Sequence, residues 1–261
     1  MATIGIHLDR EGPIGGVAEL DEAAQLGAAC VQFFVSDPQG WKIPPPGPGA
    51  AEIAATPMTK YVHAPYTVNL ASGNNRIRIP SRKILADTCQ AAEAFGAVAV
   101  IVHGGHVTAG DDPKQGFLRW RKALEQHSSP LPLLLENTAG GNYAMARRLD
   151  MLAGLWEQVG DLGLGFCLDT CHAHAGGEGL EGIVDRVKAI TGRVDLVHAN
   201  DSKDAAGSGR DRHENLGRGR IGLEAVAEVV AAAGVPAICE TPGGAAEHRA
   251  DIEALGRRLS G

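Results

Sequence analysis

The sequence has no long apolar run, few cysteines and no glycine-rich phosphate-binding signature. No apolar stretch among the 261 residues approaches the roughly 18–20 residues that a membrane-spanning helix needs. The amino-terminal residues lack a basic region followed by an apolar stretch and a cleavage site, so we expect no secretion signal and a cytoplasmic protein. No GxGxxG motif follows the first apolar run, and the main sign of a dinucleotide-binding fold is therefore missing.

The five cysteines do not form a recognisable framework. Their number is odd and they are scattered along the chain, which argues against a disulfide-stabilised fold. Cys167 and Cys171 are spaced C-x3-C, but no second pair completes a zinc ribbon. We interpret the cysteines as reduced, small apolar residues rather than as redox groups.

The formal net charge of −7 argues against a protein that coats nucleic acid indiscriminately, although it leaves room for a local basic face. Histidine, with 10 residues, is the residue type on which the interpretation depends most.

Short apolar runs rich in β-branched residues alternate with longer Ala/Leu-rich segments of helical spacing. Eight runs predict strands: ATIGIHL, ACVQFFV, TKYVHAP, VAVIVHGG, PLLLEN, GFCLD, VDLVHAND and PAICET. Six intervening segments predict helices, one of them running from Tyr143 to Val159. Continuous apolar strands that alternate with helices indicate a parallel sheet covered on its outside. We predict an α/β fold, a single (β/α)₈ TIM-barrel domain over residues 1–261, with an open doubly wound sheet as the alternative.

Two segments interrupt this alternation. The proline-rich stretch WKIPPPGPGA, residues 41–50, predicts a loop after the second strand, because proline fixes the backbone and removes hydrogen-bond donors. Residues 200–222 predict a long polar loop after the seventh strand. Long ordered loops in compact domains are often functional.

Six consecutive predicted strands end in a histidine or a carboxylate. These residues are His63, His103, Glu136, Asp169, His198 and Glu240. In a barrel the carboxyl ends of the strands surround one mouth, which is where active sites of this fold lie. Several buried carboxylates at one place repel each other unless cations neutralise them. Imidazole and carboxylate ligands without thiolate suit Zn²⁺ or Mn²⁺.

Three further candidates lie in the neighbouring loops. His172 follows Asp169 by three residues, and Asp211 and His213 form the sequence D-R-H in the long loop. Nine candidate ligands exceed the needs of one four- or five-coordinate ion, so we expect two or three metal ions at the mouth.

Long motifs resemble those of the endonuclease IV family, metal-dependent apurinic/apyrimidinic (AP) endonucleases of DNA base-excision repair. The matching stretches, in the family's order and over nearly the whole chain, are YVHAPYTVNLAS, VHGGH, LLLENTAGG, GFCLDTCHAHAGG, LVHANDSK, GSGRDRHENLGRGRIG and CETP. The resemblance implies hydrolysis of the phosphodiester on the 5′ side of an abasic site in double-stranded DNA, which leaves a 3′-OH and a 5′-deoxyribose phosphate.

The resemblance also implies three zinc ions and assigns their ligands, with Mn²⁺ as an alternative at oxygen-rich positions. One ion would bind His63, His103 and a bridging Glu136. A second would share Glu136 and add Asp169, His198 and Glu240. The third would bind His172, Asp211 and His213. Glu136 would be the catalytic residue that orients the attacking hydroxide, whereas His106 and His174 are not ligands in the family.

The predicted DNA contacts combine this resemblance with basic clusters around the proposed mouth. The candidates are Gln39, Tyr66, Arg76, Lys203, Arg210 and Arg212, with Arg78, Arg82, Lys83, Arg218 and Arg220 in the same two clusters. Positive charge there would contact phosphates, so binding should weaken steeply with salt. An abasic nucleotide leaves the base stack at low cost. We expect a monomer and no membrane partner.

Three departures from the family pattern concern DNA recognition more than the metal ligands. Gln39 stands where some members have Arg, and Thr67 replaces a larger apolar residue. The first strand ends IGIHLDREG, where HVS is usual.

Two other functions are compatible with parts of this pattern. A metal-dependent sugar isomerase or epimerase would share the barrel and the ligands at its strand ends, but it would not require D-R-H in a basic loop. A DNA-binding scaffold with structural zinc would be expected to use cysteine-rich sites, for which the sequence has no candidate.

Overall fold

The computed structural model describes residues 3–8, 12–47 and 49–260. Its strands are β1 (Ile4–His7), β2 (Cys30–Phe33), β3 (Thr59–His63), β4 (Ala99–His103), β5 (Leu133–Glu136), β6 (Gly165–Asp169), β7 (Leu196–His198), β8 (Asp201–Ser202), β9 (His213–Glu214) and β10 (Ala237–Cys239). Eight of them form a closed barrel in the order β1-β10-β7-β6-β5-β4-β3-β2, with parallel neighbours. Each predicted run supplies one barrel strand, so the predicted TIM barrel is confirmed.

Helices cover the outside of the barrel. They are α1 (Val17–Gln25), α2 (Gly49–Ala55), α3 (Asn75–Ala94), α4 (Pro113–Glu125), α5 (Leu149–Val159), α6 (Thr170–Gly176), α7 (Ile183–Thr191), α8 (Leu223–Ala233) and α9 (Ala245–Ser260). Their apolar faces pack on the strands; Leu85, Leu152 and Leu155, for example, are almost completely buried in the core. Within the described part of the chain, no helix combines the length and apolar character that crossing a membrane requires.

Two predicted boundaries are wrong. The helix predicted from Tyr143 begins only at Leu149, because the backbone before it pairs with the loop after β4: Val107 N donates to Tyr143 O and Met145 N donates to Gly105 O. The predicted loop 41–50 is irregular over residues 41–47, but α2 already begins at Gly49. Position 48, and residues 9–11 of the stretch after the first strand, lie outside the described residues.

The barrel interior consists of an apolar layer below a polar one. The apolar layer contains Cys30, Tyr61, Ile101, Leu134, Cys167, Leu196 and Ile238. Residues two apart in a strand point the same way, so the next inward positions form the upper layer. Those positions are His7, Gln32, His63, His103, Glu136, Asp169, His198 and Glu240. In β1 the lower position is Gly5, where a Cβ would collide with Cys30 of β2.

A candidate metal centre at the mouth of the barrel

Glu136 lies at the centre of the polar layer. Its fully buried carboxylate has Oε2 at 3.1 Å from His63 Nε2 and 3.2 Å from His103 Nε2. The other oxygen, Oε1, lies 3.0 Å from His198 Nδ1. The same Oε1 lies 3.2 Å from His172 Nδ1, so the two oxygens of one carboxylate face different imidazoles, as those of a bridging ligand would.

The second set of side chains surrounds His198. Its Nδ1 lies 3.4 Å from Glu240 Oε2 and 3.9 Å from Asp169 Oδ2, in addition to Glu136. All four side chains are buried, and their ligand atoms lie within 4.8 Å of one another.

The third set joins α6 to the long loop after β7. Asp211 Oδ2 lies 3.1 Å from His172 Nε2, and Asp211 Oδ1 lies 3.1 Å from His213 Nε2. The short β8–β9 hairpin carries His213 in β9 and leaves Asp211 half-exposed at the edge of the mouth. The structure thus brings all nine predicted ligands together, in the same three groups that the resemblance implies.

Three of the histidines in these groups are oriented as metal ligands are. His63 Nδ1 donates to Ala64 O at 2.6 Å, His172 Nδ1 to Asn137 O at 2.9 Å, and His213 Nδ1 to Glu240 O at 3.0 Å. Because a carbonyl oxygen only accepts, each Nδ1 carries a proton, so the neutral form of each ring has its lone pair on Nε2. Metal-bound histidines show this arrangement.

The spacing of the donor atoms also fits a bound ion. Two ligands on a tetrahedral Zn²⁺ with bonds of 2.0–2.1 Å lie about 3.3 Å apart, and the closest contacts within the three groups are 3.0–3.4 Å. Among the described residues, His172 Nε2 and His213 Nε2 are buried without a partner of hydrogen-bonding geometry. The residues present therefore fit Zn²⁺ or a similar cation.

The electrostatics of the mouth lower the pKa of Glu136 and Glu240, whereas burial raises the pKa of Asp169. Burial works to raise the pKa of Glu136, but His198 and His103 outweigh it and hold the pKa well below its ordinary value. Burial likewise opposes the effect of His198 on Glu240, whose pKa is also well below the usual range. In return, Asp169 and Asp211 raise the pKa of His172 against the effect of its burial. Carboxylates that stabilise positive charge on a neighbouring imidazole would stabilise a bound metal cation in the same way.

Buried amides position the ligands; both lie within the motifs LLLENTAGG and LVHANDSK, but neither was among the predicted site residues. Asn137 Oδ1 accepts from Asp169 N at 2.8 Å, and Asn200 Nδ2 donates to Asp169 Oδ2 at 2.7 Å. Asn200 Oδ1 also accepts from Glu240 N at 2.8 Å. Asp169 additionally caps α6 by accepting from His172 N.

His7 and Gln32 complete the polar layer and were also missed. Both lie two residues beyond an inward-facing position of their strand, and their Cα atoms are register partners. That period of two was the available signal. Gln32 was overlooked because it neither ends its strand nor is a metal-ligand type, whereas His7 ends β1 but was considered only as part of a departure from the family pattern.

A cavity of about 340 Å³ opens beside His103. Tyr66, Trp41, Thr67 and His106 contribute to its lining. The Tyr66 ring, 37% exposed, packs against His63 and His103 with centroid distances of 5.4 and 5.5 Å, and Trp41 is 47% exposed. The predicted DNA contact Tyr66 therefore borders the first group of ligands, together with Trp41, which was not among the predicted contacts.

The other predicted DNA contacts are of two kinds: exposed side chains and arginines that pair with a carboxylate of the protein. Lys203, Arg76 and the side chain of Gln39 are exposed. Arg212 instead donates through Nε and Nη2 to both oxygens of Asp204 at 2.7 and 2.6 Å, and Arg210 lies 3.5 Å from the same carboxylate. These two arginines thus flank Asp211 and hold its loop.

Four other residues from the basic clusters and the histidine motifs contact neighbouring protein groups. Arg82 donates to Gln126 at 2.9 Å, and Lys83 pairs with Asp87 along α3. His106 is exposed and contacts Asn69, whereas His174 Nε2 donates to Asp204 O at 3.1 Å. Neither histidine belongs to a ligand group among the described residues.

Known proteins share both the sequence and the fold of this chain. Residues 20–258 match the family model described as "Xylose isomerase-like TIM barrel". The chain is 57% identical over 238 residues to a probable endonuclease 4 of Mycobacterium bovis, and the matched region covers 91% of this chain and 92% of that protein. The crystal structure of endonuclease IV from Thermus thermophilus matches with a TM-score of 0.83 and 31% identity, covering 99% of both chains. A D-tagatose 3-epimerase-like protein matches with a TM-score of 0.80 and covers 100% of this chain and 97% of that one, but its 18% identity shows the fold alone.

Proposed function

The chain belongs to the endonuclease IV family, and we propose that it is a zinc-dependent AP endonuclease of DNA repair. It hydrolyses the phosphodiester 5′ to an abasic site and leaves a 3′-OH and a 5′-deoxyribose phosphate. The observation that carries this proposal is Glu136, whose two oxygens face separate groups of imidazoles at 3.0–3.2 Å.

Three ions fit the three groups described above, with His63, His103 and Glu136 holding the first. Bound zinc would lower the pKa of a water to about 7 and neutralise charge on the attacking and leaving oxygens. Glu136 and Glu240, whose pKa values are held well below the usual range, would keep the ligand set charged at neutral pH. Glu136 also presents an acceptor that orients the nucleophile toward the phosphorus.

The surroundings of the mouth suit DNA that is opened at an abasic site, because the bases beside the missing one can stack on protein side chains. Tyr66 and Trp41 offer exposed aromatic faces beside the cavity at His103, and such faces stack on bases irrespective of sequence. Exposed Lys203 and Arg76 would contact phosphates, whereas Arg212 and Arg210 would act first through Asp204, by holding Asp211 in place. A monomer is sufficient for this arrangement.

The sugar isomerase or epimerase alternative finds less support. This chain has the same fold as a D-tagatose 3-epimerase-like protein, which is expected because many enzymes use this barrel. An isomerase site of one or two ions, however, leaves the group of His172, Asp211 and His213 without a role. A DNA-binding scaffold is equally unsupported, because the ligand groups are rich in carboxylates and imidazoles rather than cysteines.

The test is incubation of the purified protein with a duplex that contains one abasic-site analogue, with and without a chelator, and metal analysis of the same sample. We expect a single cut on the 5′ side of the analogue, abolished by the chelator and restored by Zn²⁺, with close to three metal ions per chain. Binding of about one ion without cleavage of the duplex would favour the isomerase. Binding of the duplex with no cleavage under any metal would favour the scaffold.

A further inference from the structure

Gln32 of β2 is a buried amide that contacts ligands from two other strands. Its Oε1 lies 2.8 Å from His198 Nε2 on β7, and its Nε2 lies 2.6 Å from Oε1 of Glu240, which follows β10. The same Nε2 lies 2.8 Å from His7 Nδ1. The side chain is completely buried, so every one of these contacts is made away from bulk water.

The contact with Glu240 determines which way the amide is oriented. A carboxylate only accepts hydrogen bonds, so the group that faces Glu240 at 2.6 Å must be the NH₂. The carbonyl oxygen of Gln32 then faces His198, and it too only accepts. His198 must therefore carry a proton on Nε2, so the neutral ring that can bind a metal has its lone pair on Nδ1. That Nδ1 is the atom that lies 3.0 Å from Glu136 and 3.4 Å from Glu240.

His198 differs from the other oriented ligands in what holds it. His63, His172 and His213 each donate to a backbone carbonyl, which no substitution removes. His198 donates to a side chain. The second group, Glu136, Asp169, His198 and Glu240, thus depends on a residue that supplies no ligand itself.

We propose that Gln32 is the positioning residue of this second group: it fixes the tautomer of His198 and the rotamer of Glu240, and so sets the affinity of the ion held there. The proposal rests on the metal centre of the proposed function and deepens it. The first group and the third group contain neither His198 nor Glu240, so their ions should be largely independent of Gln32.

The experiment uses Gln32→Met, which has similar length and no hydrogen-bonding group. The metal-depleted protein is dialysed to equilibrium against Zn²⁺ buffered at graded free concentrations, and bound zinc is measured per chain. We expect one ion of the set to bind 10–100-fold more weakly, the usual effect of removing such a partner, while the other two shift by less than about threefold. A binding curve that coincides with that of the unsubstituted protein would overturn the proposal.

Gln32→Glu separates the contact with His198 from the contact with Glu240. It keeps an acceptor for His198 Nε2 but sets a second carboxylate against Glu240 in place of the donor. We therefore expect the tautomer of His198 to be kept, Glu240 to be displaced, and zinc affinity to lie between those of the unsubstituted protein and Gln32→Met. Equal loss in both variants would overturn the role assigned to the His198 contact.

Thr88→Val serves as the matched control. Thr88 is a fully buried polar residue of α3 that donates to Ile84 O at 2.8 Å, away from the mouth. Its substitution should lower stability without changing any zinc affinity; weakened zinc binding in Thr88→Val would mean that destabilisation alone explains the effect. Because the readout is metal binding, the result is independent of cleavage: an inactive protein that shows the Gln32-dependent ion would reject the nuclease and retain this inference.

Discussion

Glu136 is the residue on which the chemistry of the mouth depends most directly. Replacing it by Gln keeps the shape but removes the charge that faces His63, His103 and His198. We expect Glu136→Gln to reduce cleavage of abasic-site DNA by at least about 100-fold, since a ligand matters at least as much as the groups that orient it. Binding of the same duplex should change by only a few fold, because phosphate contacts made elsewhere supply most of the affinity.

The control for Glu136→Gln is Glu93→Gln. Glu93 is exposed near the carboxyl end of α3, so the same loss of charge occurs away from the ligands. Cleavage and duplex binding should both stay at the level of the unsubstituted protein. Equal loss of binding and cleavage in Glu136→Gln would instead support a scaffold in which zinc has a structural role.

At the scale of elements, the β8–β9 hairpin is held by one buried carboxylate. Asp201 accepts from the backbone N–H groups of Ser202, Gly217, Gly219, Ile221 and Gly222 at 2.7–3.1 Å. A two-stranded ribbon of this length is marginally stable in water without such an anchor. The hairpin nevertheless carries His213 in β9, and Asp211 lies two residues before that strand. The Asp201 carboxylate therefore fixes the two ends of the long loop to each other.

Asp201→Asn should release this anchor. An amide presents one accepting oxygen and turns its NH₂ toward N–H donors, so several backbone groups lose their partner. We expect the free energy of unfolding to fall by about 3 kcal/mol and the ion of His172, Asp211 and His213 to be lost before the others. Urea denaturation and zinc analysis measure the two effects.

The control for the hairpin is Asp87→Asn. It removes only the exposed ion pair with Lys83 and should cost at most about 1 kcal/mol. An Asp201→Asn protein with unchanged stability and a full set of ions would show that the loop is held by its other contacts, such as Arg212 with Asp204.

Elements that are determined by neighbouring residues in the sequence were predicted well, and elements that depend on contacts between distant residues were not. All eight barrel strands were found because each is a continuous apolar run between turns, and the ligands at their ends followed from parallel topology. Helix α6 was missed because it has seven residues and begins from the side chain of Asp169, a residue already assigned to the metals. The late start of α5 reflects backbone pairing with the loop at Gly105, a contact about 40 residues away in sequence.

The same reasoning explains what was missed at the mouth. Ligand types are visible in a sequence because few residues bind metals, whereas Gln32 and Asn200 act through hydrogen bonds to partners on other strands. The pairing of Arg212 with Asp204 was equally hidden, since a basic residue in a polar loop looks the same whether its partner is a phosphate or a carboxylate.

At the scale of the whole molecule, the barrel encloses its thiols. All five cysteines are free and buried. Burial raises the pKa of Cys30, Cys167 and Cys171 to about 12 and that of Cys89 to about 11. Burial raises the pKa of Cys239 as well. A raised pKa favours the neutral thiol, and the thiolate is the reactive form. The C-x3-C pair is therefore unsuited to redox chemistry in the folded protein.

This enclosure predicts slow reaction with thiol reagents until the barrel opens. At pH 8 a thiol of pKa 11 is ionised in about one molecule in a thousand, and reagent must also reach it. We expect the native protein to react at least about 100-fold more slowly than the protein in denaturant, where five thiols should be titrated, and the native rate to rise only as the pH approaches 11.

The measurement is a timed titration with a chromogenic disulfide in buffer and in guanidinium chloride. One cysteine reacting in native protein at the rate of an exposed thiol would contradict the closed barrel, and Cys171→Ala would show whether that thiol belongs to the mouth, beside Asp169 and His213.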